Sequence, residues 1–431
     1  METVRTEILP GVFLTCLHTK KFKTDCMSIN LLTQHQRDTA SLNALLPYVL
    51  RRGTRFHPDM ESLAEALDEL YGTCVEPVVR RIGEIQCIGF FANMPSTAYL
   101  PTEGVLRSAA ELMCEILLSP NTKGGLLLPD YVESEKEKLL ERIRSSVNDK
   151  ISYSVQRLNE EMCCYEDFAV PRLGTESTAE GIYYQKLTKH YRNLLATCPV
   201  EIFYCGSEEP REVAEVFSDA LCGMPRGEIN WDIGTDIRMN SVESQPRYFT
   251  EEMNVTQGKL ALGFRLGECM ENPDVAAVSV FNAVYGSGVN SKLFMNVREK
   301  LSLCYFASCF SNIHKGLLTV YSGIDFDKYE EAKAEILAQL EDIRNGVVTD
   351  EELTAAKTAV ITSLSVIPDS AGELEGFWLS NIIEGLDIDP LELAALCEGV
   401  SLEDVVSIAR SVTLDAVYFL KGNGEEAHDE E

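Results

Sequence analysis

Apolar residues recur along this chain with two periods, one typical of strands and one typical of helices. Residues 11–33, GVFLTCLHTKKFKTDCMSINLLT, alternate on either side of a polar turn, which predicts two strands. In DMESLAEALDELYG the apolar residues recur every three or four positions, which predicts an amphipathic helix that Asp59 caps and Gly72 ends. The expected apolar face of this helix consists of Met60, Leu63, Ala64, Leu67 and Leu70.

The same order of elements occurs twice along the chain. The first half contains a helix over 39–53, helices over 105–118 and 129–147, a closing helix around 180–196 and the strand VEIFYCG. The second half repeats them as DVAAVSVFNAVYGSG, YEEAKAEILAQLEDIRNG, TDEELTAAKTAVITSLS, SLEDVVSIARSV and AVYFLKG. Offsets of roughly 215–235 residues between matched elements indicate a duplicated unit.

Each half mixes strand-like runs with helical stretches, which favours the α+β class. We expect two homologous domains, each an antiparallel-rich sheet covered by helices. The predicted boundaries are residues 1–225 for the first domain, 226–243 for a linker and 244–431 for the second domain.

Composition excludes several classes of function. The 431 residues carry a net charge of −30, which argues against nucleic acid and against an anionic membrane surface as partners. We find neither a signal-peptide pattern nor an apolar run long enough to span a membrane, so the predicted location is the cytoplasm. The fourteen cysteines are scattered without a Cys-x-x-Cys pair and are expected to be reduced, and the acidic tail GEEAHDEE is expected to fray.

Two further stretches carry a family resemblance. YGSGVNSKLFMNVREKLSLCYFAS (285–308) resembles the second-half signature of the M16 peptidases, the insulinase, pitrilysin and mitochondrial processing peptidase family. SPNTKGGLLLPDYVESEKEKLLERI resembles the first-half helix of that family that carries its third zinc ligand. The resemblance covers nearly the whole chain and is strongest to the two-chain M16B proteins, such as the Ymf-type pair of Gram-positive bacteria. It implies two M16-type domains.

Active members of this family bind zinc through His-x-x-Glu-His and a distant Glu, and the Glu of the motif acts as general base. Alignment of NALLPYVLRRGT on this motif by its Arg-Gly-Thr end places Ala44 and Tyr48 at the two His positions and Pro47 at the base. Arg142, next to Glu141, falls at the distant Glu. The resemblance therefore implies that this chain holds no metal. Pro47 also predicts a kink or a shifted start of the helix.

The resemblance implies a different role for Arg298 and Tyr305. In the family, an Arg and a Tyr at this spacing bind the peptide backbone and stabilise the oxyanion at a zinc site contributed by another domain. The plainer alternative pairs Arg298 with Glu299 or another carboxylate and buries Tyr305 in a strand.

We therefore predict an M16 subunit that is inactive alone and lacks zinc. It would act on peptides with a zinc-motif-bearing homologue, which holds the zinc, as a heterodimer. The alternative partner is a second copy of the chain, as a homodimer. Two alternatives stay open: a non-catalytic scaffold or peptide-binding protein, and a peptidase with relocated ligands or a metal-free mechanism.

Overall fold

The computed structural model describes residues 2–102 and 104–423, and the acidic tail lies outside the described residues. The strands are β1 (Glu2–Leu9), β2 (Val12–His18), β3 (Thr24–Gln34), β4 (Cys74–Ile82), β5 (Ile85–Pro95), β6 (Thr122–Lys123), β7 (Leu126–Leu127), β8 (Val200–Gly206), β9 (Arg247–Met253), β10 (Gly258–Arg265), β11 (Phe306–Asn312), β12 (Leu317–Ile324) and β13 (Thr413–Gly422).

The α-helices are α1 (Ala40–Leu50), α2 (Met60–Glu69), α3 (Val105–Leu118), α4 (Pro129–Ser145), α5 (Lys150–Met162), α6 (Glu176–Glu180), α7 (Tyr184–Thr197), α8 (Pro210–Ala220), α9 (Val275–Tyr285), α10 (Tyr329–Arg344), α11 (Asp350–Val366), α12 (Ala371–Glu384), α13 (Pro390–Gly399) and α14 (Leu402–Ser411). None of the helices in the described ranges is both long enough and apolar enough to cross a membrane. The predicted α+β class is confirmed.

The chain forms two compact units, and neither is continuous in sequence. Unit 1 comprises Met1–Arg144, Val170–Gly234 and Asp369–Gly385. Unit 2 comprises Ser145–Ala169, Thr235–Pro368 and Leu386–Glu431. The predicted boundaries at 1–225, 226–243 and 244–431 describe homologous halves of the sequence and stay a prediction.

The sheets of the two units share one topology. Unit 1 has the strand order β1-β2-β8-β3-β5-β4, and unit 2 has the order β11-β12-β10-β13-β9. In both sheets one pair is parallel, β2 with β8 and β9 with β13, and the other pairs are antiparallel. Read from β2 and from β9, the two orders match strand for strand, which agrees with a duplicated unit. Unit 1 has one additional strand, β1, on the outer edge of β2.

Two helices pack on sheets from the other half of the sequence. Leu158 and Met162 of α5 pack against Ala261 and Tyr418 in unit 2. In unit 1, Glu375 of α12 accepts a hydrogen bond from Ser28 (2.7 Å). Helices α5 and α12 were not predicted, because their partners are distant in sequence.

The predicted helix over 59–72 has the expected ends but a narrower buried face. Asp59 accepts a hydrogen bond from the Ser62 N–H (2.8 Å), and Gly72 has the positive φ of a helix end (72°). Leu63 and Leu67 are buried, whereas the predicted face members Met60 and Ala64 are exposed. The fully buried contact with the core is made by Leu63 and Leu67, one turn apart, so Met60 and Ala64 remain in solvent.

The predicted helix over 129–147 is also shorter than expected. The helix α4 ends at Ser145, and Asp149 begins α5 by accepting hydrogen bonds from the N–H groups of Ile151 (3.1 Å) and Ser152 (3.2 Å). This cap satisfies donors at the new helix start. Residues 226–243 form neither helix nor strand.

Candidate functional site

The predicted degenerate zinc motif lies on α1, in the core of unit 1. Ala44 is 0% exposed and Pro47 is also buried. The helix begins at Ala40 and continues past Pro47, where the Arg51 N–H donates to the Pro47 carbonyl (3.1 Å). Pro47 therefore does not shift the helix start, and the alternative of a kink stays a prediction. The packing of nearly every residue of α1 against the core outweighs the one backbone hydrogen bond that the proline removes.

The structure brings the remaining two motif positions together. The Arg142 guanidinium on α4 lies over the Tyr48 ring, 3.9 Å from its centroid. One turn away, Arg52 lies over the Tyr131 ring (5.2 Å) and pairs with the buried Glu135 (3.3 Å). Cation–aromatic stacking thus occupies the place where α1 and α4 face each other.

These residues do not fit a zinc ion. An alanine and a proline offer no ligand atom, and a guanidinium beside the tyrosine would repel a divalent cation. Within residues 2–102 and 104–423, no three His, Cys, Asp or Glu side chains lie together in an arrangement that could hold a metal. His57, which follows the motif, lies 3.0 Å from the single carboxylate of Glu115.

A buried chain of polar side chains anchors the N-terminal half of α1. His190 donates from Nε2 to Asn43 Oδ1 (2.5 Å), and Asn43 donates from Nδ2 to Gln86 Oε1 (2.9 Å). Gln86 Oε1 also lies 3.3 Å from Nδ1 of the buried His35. Burial lowers the pKa of His190 to about 4, so the ring is neutral at physiological pH. Both rings are engaged in hydrogen bonds within unit 1, which favours a structural role.

The buried cysteines are poor nucleophiles. Burial raises the pKa of the Cys16, Cys87 and Cys205 thiols to about 12, which keeps them protonated at neutral pH. All fourteen cysteines are free thiols, as predicted. These features disfavour a thiolate mechanism at those positions.

The second candidate site lies in unit 2, where α9 leads into a wide helical segment, Leu293–Lys300. The turn GSGVNS joins them. Its last residue, Ser291, caps the start of the helical segment by accepting a hydrogen bond from the Phe294 N–H (3.3 Å). Gly286 allows this turn to approach β11, since a Cβ there would lie 3.0 Å from the Cys309 nitrogen. The loop is therefore a tight structural turn, as its missing third glycine predicts.

Arg298 lies in the last turn of this segment. Its guanidinium stacks over the Phe294 ring (4.7 Å) and lies 3.5 Å from Glu299 Oε1, while the side chain remains 41% exposed. The pairing with Glu299 matches the plainer alternative. Because the pair is exposed and long, it holds the guanidinium only weakly.

Tyr305 is 58% exposed and precedes β11, so it is not the buried strand residue of the plainer alternative. Its hydroxyl donates to Asp325 Oδ1 (3.0 Å), and this hydrogen bond and the carboxylate charge raise the pKa of Tyr305. Sequence reasoning missed Asp325. It follows β12, and only the pairing of β11 with β12 brings it beside Tyr305.

The chain is similar to known proteins of one peptidase family. Residues 181–360 match the model described as Peptidase M16 inactive domain. The "Probable inactive metalloprotease YmfF" of Bacillus subtilis is 31% identical over 414 residues, which is 96% of this chain and 96% of that protein. The chain belongs to the M16 peptidase family.

Solved structures agree with this M16 fold. A conserved protein from Enterococcus faecalis V583 has a TM-score of 0.89 and 28% identity, with 98% of this chain and 99% of that chain covered. The "peptidase M16 inactive domain" structure from Pseudomonas fluorescens has a TM-score of 0.80 at 14% identity, with 98% of each chain covered. The second likeness concerns the M16 fold alone. Membership of a family with inactive metalloprotease homologues agrees with the residues at the predicted zinc-motif positions, Ala44, Pro47, Tyr48 and Arg142.

Proposed function

We propose that this M16 protein is the non-zinc-binding subunit of a two-chain metallopeptidase that processes peptides. It would supply Arg298 and Tyr305 to a partner subunit that carries His-x-x-Glu-His. One asymmetry supports the proposal. The predicted zinc-motif positions on α1 and α4 hold a stacked Tyr48 and Arg142, whereas the side chains of Arg298 and Tyr305 are exposed by 41% and 58%.

The chemistry of the two donors suits this role. The guanidinium of Arg298 stays charged and offers a fork of N–H groups to peptide carbonyls. A tyrosine hydroxyl is protonated at neutral pH, and the Asp325 hydrogen bond raises the pKa of Tyr305 further. Its O–H would turn from Asp325 to an oxyanion that forms on the peptide. Zinc bound by the partner would supply the activated water.

Peptide hydrolysis by separate and mixed subunits tests the proposal. A quenched-fluorescence peptide library is incubated with this chain, with a His-x-x-Glu-His homologue from the same genome, and with their 1:1 mixture. We expect cleavage by the mixture alone. If the homologue cuts equally well without this chain, the protein is a scaffold or peptide-binding homologue and the proposal fails.

Variants locate the contribution of this chain. In the mixture, Arg298→Ala and Tyr305→Phe should each lower kcat by about 10²-fold, the usual loss when one oxyanion donor is removed. Arg238→Ala, which removes a guanidinium of similar exposure (36%) from another segment of unit 2, is the matched control and should leave activity unchanged. Equal activity of all the variants would leave no role for Arg298 and Tyr305.

Metal analysis of the purified chain tests the cofactor prediction separately. We expect far less than one zinc per chain, and all zinc of the active mixture in the partner. Stoichiometric zinc in this chain alone would contradict the assignment. The cytoplasmic location stays a prediction.

A further inference from the structure

The strand β9 forms one edge of the five-stranded sheet of unit 2. Strand β13 pairs with one side of it in parallel, from Ala416↔Arg247 to Gly422↔Met253. No strand in the described part of the chain pairs with its other side. Tyr248, Thr250 and Glu252 along this strand are exposed, Tyr248 by 57%. Such an edge presents backbone N–H and C=O groups that can accept another strand.

Unit 1 shows how the equivalent edge is covered. There β2, the counterpart of β9, pairs in parallel with β8 and carries β1 antiparallel on its outer side. Arg5 of β1 donates to the buried Glu201 (2.5 Å) and lies over the Phe13 ring (4.2 Å). The added strand is thus held by backbone pairing and by one cation that reaches across the sheet. Unit 2 has no such strand among the described residues.

A groove of about 650 Å³ runs beside β9, between that strand, α5 and Tyr418. Three carboxylates line it, those of Glu160, Glu161 and Glu251. A single cation, Arg157, pairs with all three, at 2.8 Å from Glu161 and 3.4 Å from Glu251. One guanidinium offsets one of the three negative charges, so the groove remains acidic.

Hydrogen bonds keep the central carboxylate ionised. The hydroxyls of Tyr153 (2.8 Å) and Tyr418 (2.7 Å) both donate to Glu251. Partial burial opposes ionisation, but these bonds and the Arg157 charge outweigh it and lower the pKa of Glu251. The negative charge therefore lies at a defined position next to the free edge.

We infer that the free edge of β9 binds an extended peptide segment of basic character. The segment adds antiparallel to β9, as β1 adds to β2, and directs a Lys or Arg side chain into the acidic groove. A second copy of this chain is a poorer occupant. The only cation that β9 of a second chain would bring is Arg247, and that guanidinium already pairs with Asp415 (2.9 Å). The site needs neither a partner subunit nor Arg298, so it stands apart from the proposed function.

Hydrogen exchange with a defined peptide tests the location of binding. The probe is a fluorescein-labelled peptide of residues 2–9 of this chain with Glu2→Lys and Glu7→Lys. It should bind the full chain and slow amide exchange in residues 247–253. Residues 306–312, the opposite edge of the same sheet, are the internal control and should not change. Absence of binding at millimolar peptide, or protection at 306–312 instead, would overturn the inference.

A modified peptide tests the backbone pairing. The same peptide with N-methyl groups on alternate residues keeps its charges but loses strand hydrogen bonds. Prepared in both alternations, one form should bind at least about tenfold more weakly than the other. Equal binding by both forms would mean that charge alone drives association and would contradict strand addition.

Chain variants test the groove. The pair Glu160→Gln and Glu161→Gln should weaken binding of the basic peptide roughly fivefold. The matched pair Glu212→Gln and Glu215→Gln on α8 removes the same charge from another exposed helix and should leave binding unchanged. Equal weakening by both pairs would refute the site. So would protection of 247–253 that rises with chain concentration without peptide, because it would identify a second copy as the occupant.

Discussion

Tyr48 and Arg142, which the M16 resemblance places at predicted metal-ligand positions, pack against each other in this structure. A zinc site needs several lone pairs aimed at one point, whereas a guanidinium needs an electron-rich surface. With Arg142 3.9 Å from the Tyr48 ring, the space between α1 and α4 is filled by the side chains themselves. The two helices that the resemblance predicts to hold a metal in active relatives are joined here by a direct contact.

The stack predicts a measurable coupling between the two side chains. In a double-mutant cycle of Tyr48→Leu and Arg142→Met, we expect a coupling free energy of about 0.5–1 kcal/mol in favour of the native pair. Urea unfolding of the four proteins measures it. Additive effects of the two substitutions would mean that the stack contributes nothing beyond burial.

His190 predicts a pH dependence of stability. Its folded pKa of about 4 lies below the ordinary 6.5, so the unfolded chain binds the proton more readily. This contribution to stability is fully present above pH 6.5 and is lost as pH falls toward 4. The loss amounts to about 3 kcal/mol. His190→Gln should flatten the urea-unfolding free energy over that window relative to the parent chain. If the unfolding free energies of the variant and the parent chain depend on pH in the same way, the pKa of His190 does not differ between the folded and unfolded states.

Among the elements, α11 shows how a local signal supports the candidate site. Thr349 and Glu352 form a capping box at its start, with the Glu352 N–H donating to Thr349 (3.1 Å) and the Thr349 N–H donating to Glu352 (2.8 Å). Glu352 also pairs with the buried Lys292 (3.0 Å), which precedes the segment that carries Arg298. The Glu352 carboxylate thus joins the start of α11 to the stretch 285–308, which contains Arg298.

Removal of this cap should lower stability modestly. Thr349→Ala should reduce the free energy of unfolding by about 1 kcal/mol, because the Glu352 N–H loses its acceptor. Thr349→Ser keeps the hydroxyl and is the matched control, which should lose much less. Chemical denaturation compares the two variants, and equal losses would point to the methyl group rather than the cap.

At the scale of the whole molecule, a buried charge network ties segments from both halves of the sequence into unit 2. Glu166 pairs with Arg265 (2.7 Å) and Lys315 (2.7 Å), and Asp415 pairs with Arg265 (2.8 Å) and Arg247 (2.9 Å). All except Arg247 are essentially inaccessible to solvent. The two acids are thus each held by two cations in the interior.

Loss of one buried acid should be severe. Glu166→Gln should lower the free energy of unfolding by about 3–5 kcal/mol, because it leaves the charges of Arg265 and Lys315 without their shared carboxylate. The exposed Glu268→Gln in the same unit is the control and should change stability by less than about 0.5 kcal/mol. Equilibrium unfolding in urea measures both. A small effect of Glu166→Gln would mean that Asp415 alone neutralises the network.

Periodicity along the chain was sufficient to predict β2, β3, β8 and β13, nine of the helices in the described ranges, the duplication and the α+β class. These features depend on which neighbours within a few positions are apolar, and that information is local. The M16 family was recognised for the same reason, since its motifs are short runs of residues at fixed spacing. The zinc-motif positions and the roles of Arg298 and Tyr305 stay predictions.

Other features depend on pairing between distant segments, which no local pattern contains. Asp325 lies beside Tyr305 only because β11 pairs with β12. Helix α5 lies in the first half of the sequence but packs on a sheet whose strands all lie in the second half. The free edge of β9 likewise follows from the strand order. Backbone hydrogen bonds and burial select these contacts by their summed free energy over the folded chain, so tertiary structure alone decides them.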